Sequence, residues 1–160
     1  MDRTDDNANM MIKILFICHG SICRSPMARY VLRDMVDRQG IGDDFVIESA
    51  ATSREELGNP VYPPARAKLK EHGIDCYGYS ARQMVKSDYD DFDYIIGMDS
   101  ENMYYMKMMW PDDSEGKLSL LMDYTDRPRE VSDPWYTRDF EATWRDVKEG
   151  CEGLLKRILS

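Results

Sequence analysis

The chain is short of most of the features that mark other protein classes. It has only two histidines, His19 and His72, and its four cysteines, Cys18, Cys23, Cys76 and Cys151, form no C-x2-C pair. A structural zinc site needs such clustered thiolates and imidazoles, so none is expected, nor any other metal or cofactor. Positive charge is also scarce: Lys plus Arg is 21 against 30 for Asp plus Glu, a formal net charge of −9. Nucleic-acid binding needs a basic footprint and anionic membranes attract polybasic segments, so neither partner is expected. No apolar run approaches the ~18–20 residues that span a bilayer. The longest is Ile14-Leu15-Phe16-Ile17-Cys18, which is strand length. Residues 1–10, MDRTDDNANM, lack the cationic and apolar regions of an export signal and read as a flexible leader. The expectation is a cytoplasmic protein in which the cysteines are reduced.

What is present suffices for one domain. The sequence has 160 residues, of which 42% are hydrophobic, enough to fill a core and too few residues for two ordinary domains. Residues 11–160 read as that domain. The run from Ile12 to Ile17 has the near-continuous apolarity of a strand buried on both faces. Pro26 to Gln39 is helical, with Met27, Val31 and Met35 at four-residue spacing and Gly40 and Gly42 ending it. Further strands are expected at Phe45-Val46-Ile47, from Tyr94 to Met98 and from Leu118 to Leu121, and helices from Ala65 to His72 and from Met98 to about Met109. Asp123 to Arg138 reads as a polar loop inside the domain. The last helix has the clearest period, with Phe140, Trp144, Val147, Cys151, Leu154, Leu155 and Ile158 on one face. Strands alternating with helices predict an α/β fold with a parallel sheet covered on both faces.

The stretch that carries chemistry is Cys18-His19-Gly20-Ser21-Ile22-Cys23-Arg24-Ser25-Pro26, between the first strand and the first helix. Ligands of open α/β sheets bind at that edge. A seven-residue loop there can turn its backbone N–H groups inward as a nest for a tetrahedral oxyanion, in front of a helix N-terminus. Gly20 is expected to supply unusual backbone angles, and Pro26 suits the first helical turn. Cys18 at the floor of such a nest is held toward its reactive thiolate form. Arg24 offers a planar fork for two phosphate oxygens, and the Ser25 hydroxyl can donate to the thiolate.

Through these residues the chain resembles the low-molecular-weight protein tyrosine phosphatase family, whose loop is C-x-G-N-x-C-R-S-P. The resemblance runs from Met11 almost to the end. Ser49-Ala50-Ala51-Thr52-Ser53, Gly58-Asn59-Pro60, Met98-Asp99 and Asp133-Pro134-Trp135-Tyr136 follow in the family's order. It implies a single three-layer domain with a four-stranded parallel sheet in the order 2-1-3-4. It further implies metal-independent hydrolysis of protein phosphotyrosine through a phosphocysteine on Cys18. By resemblance, Arg24 and the amides of His19, Gly20, Ser21, Ile22 and Cys23 hold the phosphoryl oxygens, and Asp133 is the general acid and base. Asp133 would not stand out from the other aspartates without the match. Trp135 and Tyr136 match an aromatic wall, Asp99 a support for the loop and also a helix N-cap, and His72 a structural position near the loop. Cys18 and Cys23 are implied to form a reversible disulfide, whereas Cys76 and Cys151 read as structural.

Two positions depart from the family pattern. Ser21 stands where Asn is usual, and a looser loop with lower turnover is expected because Ser tolerates left-handed backbone less readily. Glu55 stands near an aromatic wall position and is expected to favour substrates with Lys or Arg beside the phosphotyrosine. His19 reads as a solvated loop side chain that adds positive charge when protonated. Three alternatives stay open. A protein-arginine phosphatase resembles the same family, but Ile22 and Trp135-Tyr136 favour the tyrosine type. A thiol-linked arsenate reductase needs resolving cysteines that the segment Ile96-Gly97-Met98-Asp99 lacks. A phosphate-loop binding module with little turnover would fit Ser21 and Glu55 but not the full set Cys18, Arg24, Ser25 and Asp133.

Overall fold

A computed structural model describes residues 11–160; the leader expected at residues 1–10 lies outside the described residues. The chain runs β1 (Ile12–Cys18), α1 (Arg24–Arg38), β2 (Phe45–Ala51), α2 (Pro63–Glu71), α3 (Asp88–Asp91), β3 (Tyr94–Gly97), α4 (Ser100–Met109), β4 (Leu118–Leu120), α5 (Pro134–Thr137) and α6 (Phe140–Leu159). The four strands form one parallel sheet in the order β2-β1-β3-β4.

Residues Ile14 to Ile17 are fully buried because both faces of the sheet are covered. The alternation of a strand divides them. Ile14, Phe16 and Cys18 join the larger core with Met27, Val31, Leu32, Val147, Cys151 and Leu154 of α1 and α6. Leu15 and Ile17 turn to the other face, against Ile95, Met106 and Trp110. Each fully buried Leu, Ile or Phe contributes roughly 1.5–3 kcal/mol of transfer free energy, so this double use of β1 anchors the strand that ends in Cys18.

The differences from the sequence reading have local causes. β2 is longer than Phe45-Val46-Ile47, because Glu48 can sit half-exposed opposite Arg82 at 3.5 Å while Ser49 is buried. α1 begins at Arg24, two residues before Pro26, since its first amides need no intrahelical partner. α2 begins at Pro63, with proline in its first turn, and ends at Glu71; Gly73 closes it with φ 75°. The stretch from Asp123 to Arg138 is not wholly loop: Asp133 caps the short α5 by accepting from the Trp135 amide at 3.0 Å, and Arg138 leaves it at φ 60°. Leu121–Tyr124 makes a 3₁₀ turn after β4.

Candidate active site

The register brings the ends of β1 and β2 together, Cys18 opposite Ala51. Two further bonds, from the Thr52 amide to the Cys18 carbonyl and from the Ser53 amide to the His19 carbonyl, each 3.0 Å, carry the pairing into the loops. The chain then curls through residues 19–23 into α1. Among the described residues, the amides of Gly20, Ser21, Ile22 and Cys23 donate to no protein acceptor, which is the condition for an anion nest. The Ser25 amide points at Cys18 Sγ from 3.4 Å and the Ser25 hydroxyl lies 3.1 Å from it.

The backbone strain in this loop is at Ser21, with φ 55°, and not at Gly20. At Gly20 the constraint is space: a Cβ there would stand 3.0 Å from Glu56 Cγ, so a larger residue would have to push that side chain aside. The looseness expected of Ser21 is not what the hydrogen bonding displays. Its side chain is fully buried behind the loop, 2.8 Å from Ser25 Oγ and 2.7 Å from the Tyr79 hydroxyl. Tyr79 also donates to the Ser21 carbonyl at 2.7 Å and lies 3.0 Å from Ser49 Oγ. The loop support assigned to His72 therefore belongs to Tyr79. His72 is the C-terminal cap of α2 and stacks flat on Trp144, centroids 3.8 Å apart and planes 6° apart. Its place at the helix end keeps it in the packing between α2 and α6.

In front of the loop is a cavity of ≈ 350 Å³. Cys18, His19, Gly20, Ile22, Cys23, Arg24, Glu55, Asp99, Asp133, Trp135 and Tyr136 line it, so most sequence-derived candidates converge. Glu56 and Glu101 also line it and were not foreseen. Ser21 and Ser25 stand behind the loop. Arg24 is only 4% exposed. Its Nη1 donates to Asp99 Oδ2 at 2.8 Å and to the Val131 carbonyl at 3.4 Å, and its Nη2 is 3.3 Å from Asp133 Oδ2. Burial alone would lower the guanidinium's pKa, but Cys18, Asp133 and Asp99 outweigh it and raise it above its ordinary value. The cation is thus fixed, and it ties the loop to both carboxylates. Asp99 fills both roles foreseen for it, since its Oδ1 caps α4 by accepting from the Asn102 amide at 2.8 Å.

Burial, and then the neighbouring Cys18 and Asp133, push the Cys23 thiol up to about 12. All four cysteines are free and buried. Trp135 packs edge-on against Tyr62, centroids 5.7 Å apart, which fixes one side of the mouth, while Tyr136 is 83% exposed. His19 is not a free loop side chain: its Nε2 is 2.9 Å from Glu55 Oε2 and its Nδ1 3.6 Å from Glu101 Oε1. It bridges two acids of the rim.

A buried thiol under a ring of unpaired amides, an arginine and a carboxylic acid across the mouth define a thiol-dependent phosphoryl-transfer site. Comparison with known proteins agrees. The sequence model described as low molecular weight phosphotyrosine protein phosphatase matches residues 13–160. The chain is 39% identical over 150 residues to the low molecular weight protein-tyrosine-phosphatase YfkJ of Bacillus subtilis, covering 92% of this chain and 96% of that one. It is 36% identical over 149 residues to the human low molecular weight phosphotyrosine protein phosphatase, covering 90% and 94%. The crystal structure of YfkJ superposes with a TM-score of 0.89 over 93% of this chain and 95% of that chain. The Drosophila arginine phosphatase DARP superposes at 0.86 with 29% identity, covering 93% and 99%. The chain belongs to the low-molecular-weight phosphotyrosine protein phosphatase family and is a protein-tyrosine-phosphatase, a phosphoric monoester hydrolase.

Proposed function

We propose that the phosphatase works in two displacements at Cys18. The thiolate attacks phosphorus, a P–S bond forms and the bond to the tyrosine oxygen breaks. Asp133 gives its proton to the departing phenolate. A water then attacks the phosphocysteine, Asp133 takes one of its protons, and the P–S bond breaks to release inorganic phosphate and regenerate Cys18. Throughout, the free loop amides and Arg24 hold the phosphoryl oxygens, so most of the acceleration comes from positioning and preorganised charge. Ser25 stabilises the thiolate as it leaves. The observation that carries this reading is the buried Arg24, held between Asp99 and Asp133 at the wall of the cavity that Cys18 lines.

The substrates are phosphotyrosine proteins acting in the cytoplasm. Glu55, Glu56 and Glu101 at the mouth favour sequences with Lys or Arg beside the phosphotyrosine. Phosphate release from a phosphotyrosine peptide, a phosphoarginine peptide and the same phosphotyrosine peptide with basic or acidic flanks tests the reading. The expected order is basic-flanked phosphotyrosine first, and Cys18→Ser abolishes all release. Faster release from phosphoarginine would assign the pocket to the other chemistry, and equal rates for the two flanks would remove the role of the glutamates.

A further inference from the structure

The Asp133 carboxyl can serve a leaving oxygen only if the backbone that carries it is held at the mouth. The chain arrives there through residues 129–132, which are bonded at nearly every step. Glu130 Oε1 accepts from the Ser100 amide, at the start of α4, at 2.7 Å. The Val131 amide donates to the Met98 carbonyl at 3.0 Å, and the Val131 carbonyl accepts from Arg24. Ser132, directly before Asp133, is bonded on both backbone groups by α6. Its amide donates to Asp146 Oδ2 at 2.9 Å, and its carbonyl accepts from the Thr143 hydroxyl at 2.8 Å.

The helix sets these two side chains on one face, about one turn apart. Asp139 starts α6 by accepting from the Ala142 amide at 3.0 Å. Thr143 is fully buried, and the Asp146 side chain is only 16% exposed. The Thr143 hydroxyl has one proton to give. A threonine inside a helix usually gives it to the carbonyl one turn back, which here is that of Asp139 at 3.4 Å. The Ser132 carbonyl is nearer and takes it. Asp146 uses its other oxygen, Oδ1, to accept from Arg129 Nη2 at 2.8 Å, and Arg129 Nη1 donates to Glu149 Oε2 at 3.0 Å. The carboxylate is thereby kept from turning away from the Ser132 amide. Neither Thr143 nor Asp146 lines the cavity.

Between Ser132 and Asp139 the chain makes an excursion that carries Asp133, Trp135 and Tyr136. Its near end is tied to α6 at Ser132, and its far end becomes α6. Proton transfer needs heavy atoms within about 2.6–3.2 Å, and a misplacement of about 1 Å can cost about 10²-fold in rate. Slack at Ser132 therefore falls on the proton given to the leaving oxygen, and not on the thiolate or the loop amides. We propose that Thr143 and Asp146 are positioning residues for the general acid, holding Ser132 by both backbone groups so that Asp133 stands over the leaving oxygen; the proposal rests on the reading of Asp133 as that acid.

The test compares kcat/KM for nitrophenyl phosphate, whose phenolate leaves without a proton, and for an alkyl-substituted phenyl phosphate, whose phenolate does not. Thr143→Val keeps the side-chain shape and removes the hydroxyl. Asp146→Ala removes the acceptor of the Ser132 amide, and Asp146→Asn keeps an oxygen for it. On the alkyl-substituted substrate Asp146→Ala is expected to lose about tenfold and Thr143→Val about threefold, and both less than about twofold on nitrophenyl phosphate. Asp146→Asn is expected to stay within about twofold of wild type on both. Added to Asp133→Asn, either Thr143→Val or Asp146→Ala should cost less than about twofold more, because the acid they position is already gone. A merely structural role would lower Tm and slow both substrates alike. Equal losses on the two substrates, Asp146→Asn as slow as Asp146→Ala, or a full further loss in the Asp133→Asn background would overturn the proposal. Thr143→Val decides the matter if Asp146→Ala does not fold. If Asp133→Asn itself slows both substrates equally, the acid assignment falls and the proposal with it. If Asp133→Asn discriminates between them while Thr143→Val and Asp146→Ala do not, the positioning role alone is overturned.

Discussion

Replacing Asp99 by asparagine separates its two duties. The native carboxylate uses one oxygen to cap α4, at 2.8 Å from the Asn102 amide, and the other to hold Arg24 Nη1, also at 2.8 Å. Asparagine has only one oxygen. If it caps the helix, its NH2 faces the guanidinium, donor against donor. Removing one partner from a buried pair typically costs about 3–5 kcal/mol. Arg24 keeps Asp133 at 3.3 Å and the Val131 carbonyl at 3.4 Å, and the Asp99 side chain is 18% exposed, so a lower figure of about 2 kcal/mol is expected. For a domain of this size that is a fall in Tm of about 4–8 °C. Asp99→Ala also loses the cap and should cost about 1 kcal/mol more. Inorganic phosphate gives the stranded guanidinium a new partner, so saturating phosphate should narrow the gap between Asp99→Asn and wild type. Thermal unfolding with and without phosphate reads both effects. An unchanged Tm in Asp99→Asn, or a gap that phosphate widens, would refute the argument that Arg24 depends on this carboxylate.

Asp133→Asn should lower kcat by about 10²–10⁴-fold for alkyl-substituted phenyl phosphates and far less for nitrophenyl phosphate, whose leaving group needs no proton; equal losses for both would remove Asp133 as the acid. Because burial and the adjacent sulfur hold the Cys23 proton until about pH 12, an alkylating agent at pH 7–8 should modify Cys18 and spare Cys23. Mapping of the modified peptide checks this, and the same map after peroxide should recover a Cys18–Cys23 disulfide. Ser21→Asn should not raise turnover, since Ser21 is fully enclosed and the Tyr79 hydroxyl is 2.7 Å from its Oγ; a faster variant would mean that serine does leave the loop slack.

The parts of this molecule legible in the sequence were those with strong local signals. β1 announces itself by five apolar residues in a row and α6 by an apolar stripe that the structure buries from Thr143 to Leu155. The phosphate loop is contiguous, so its members could be named in advance. What was missed is set by distant packing. Ser49 is polar, and its burial against Tyr79, with Glu48 opposite Arg82, lets β2 continue past Ile47. Tyr79 lies 58 residues from Ser21 in sequence, in a stretch of Tyr and Gly that reads as a turn, so nothing local marks it as the support of the loop. His72 drew that role from the family resemblance alone; the structure places it at the end of α2, stacked on Trp144. Glu101 reaches the mouth only because the parallel sheet places the start of α4 beside the end of β1.

The most direct test is to stop the reaction of wild-type enzyme with a phosphotyrosine peptide during turnover and weigh its proteolytic fragments. The account predicts the mass of one phosphoryl group added to the fragment that carries Cys18, more abundant in a variant whose second displacement is slowed and absent in Cys18→Ser. Phosphate release at an ordinary rate from Cys18→Ser, or a phosphoryl group on any other residue, would contradict it.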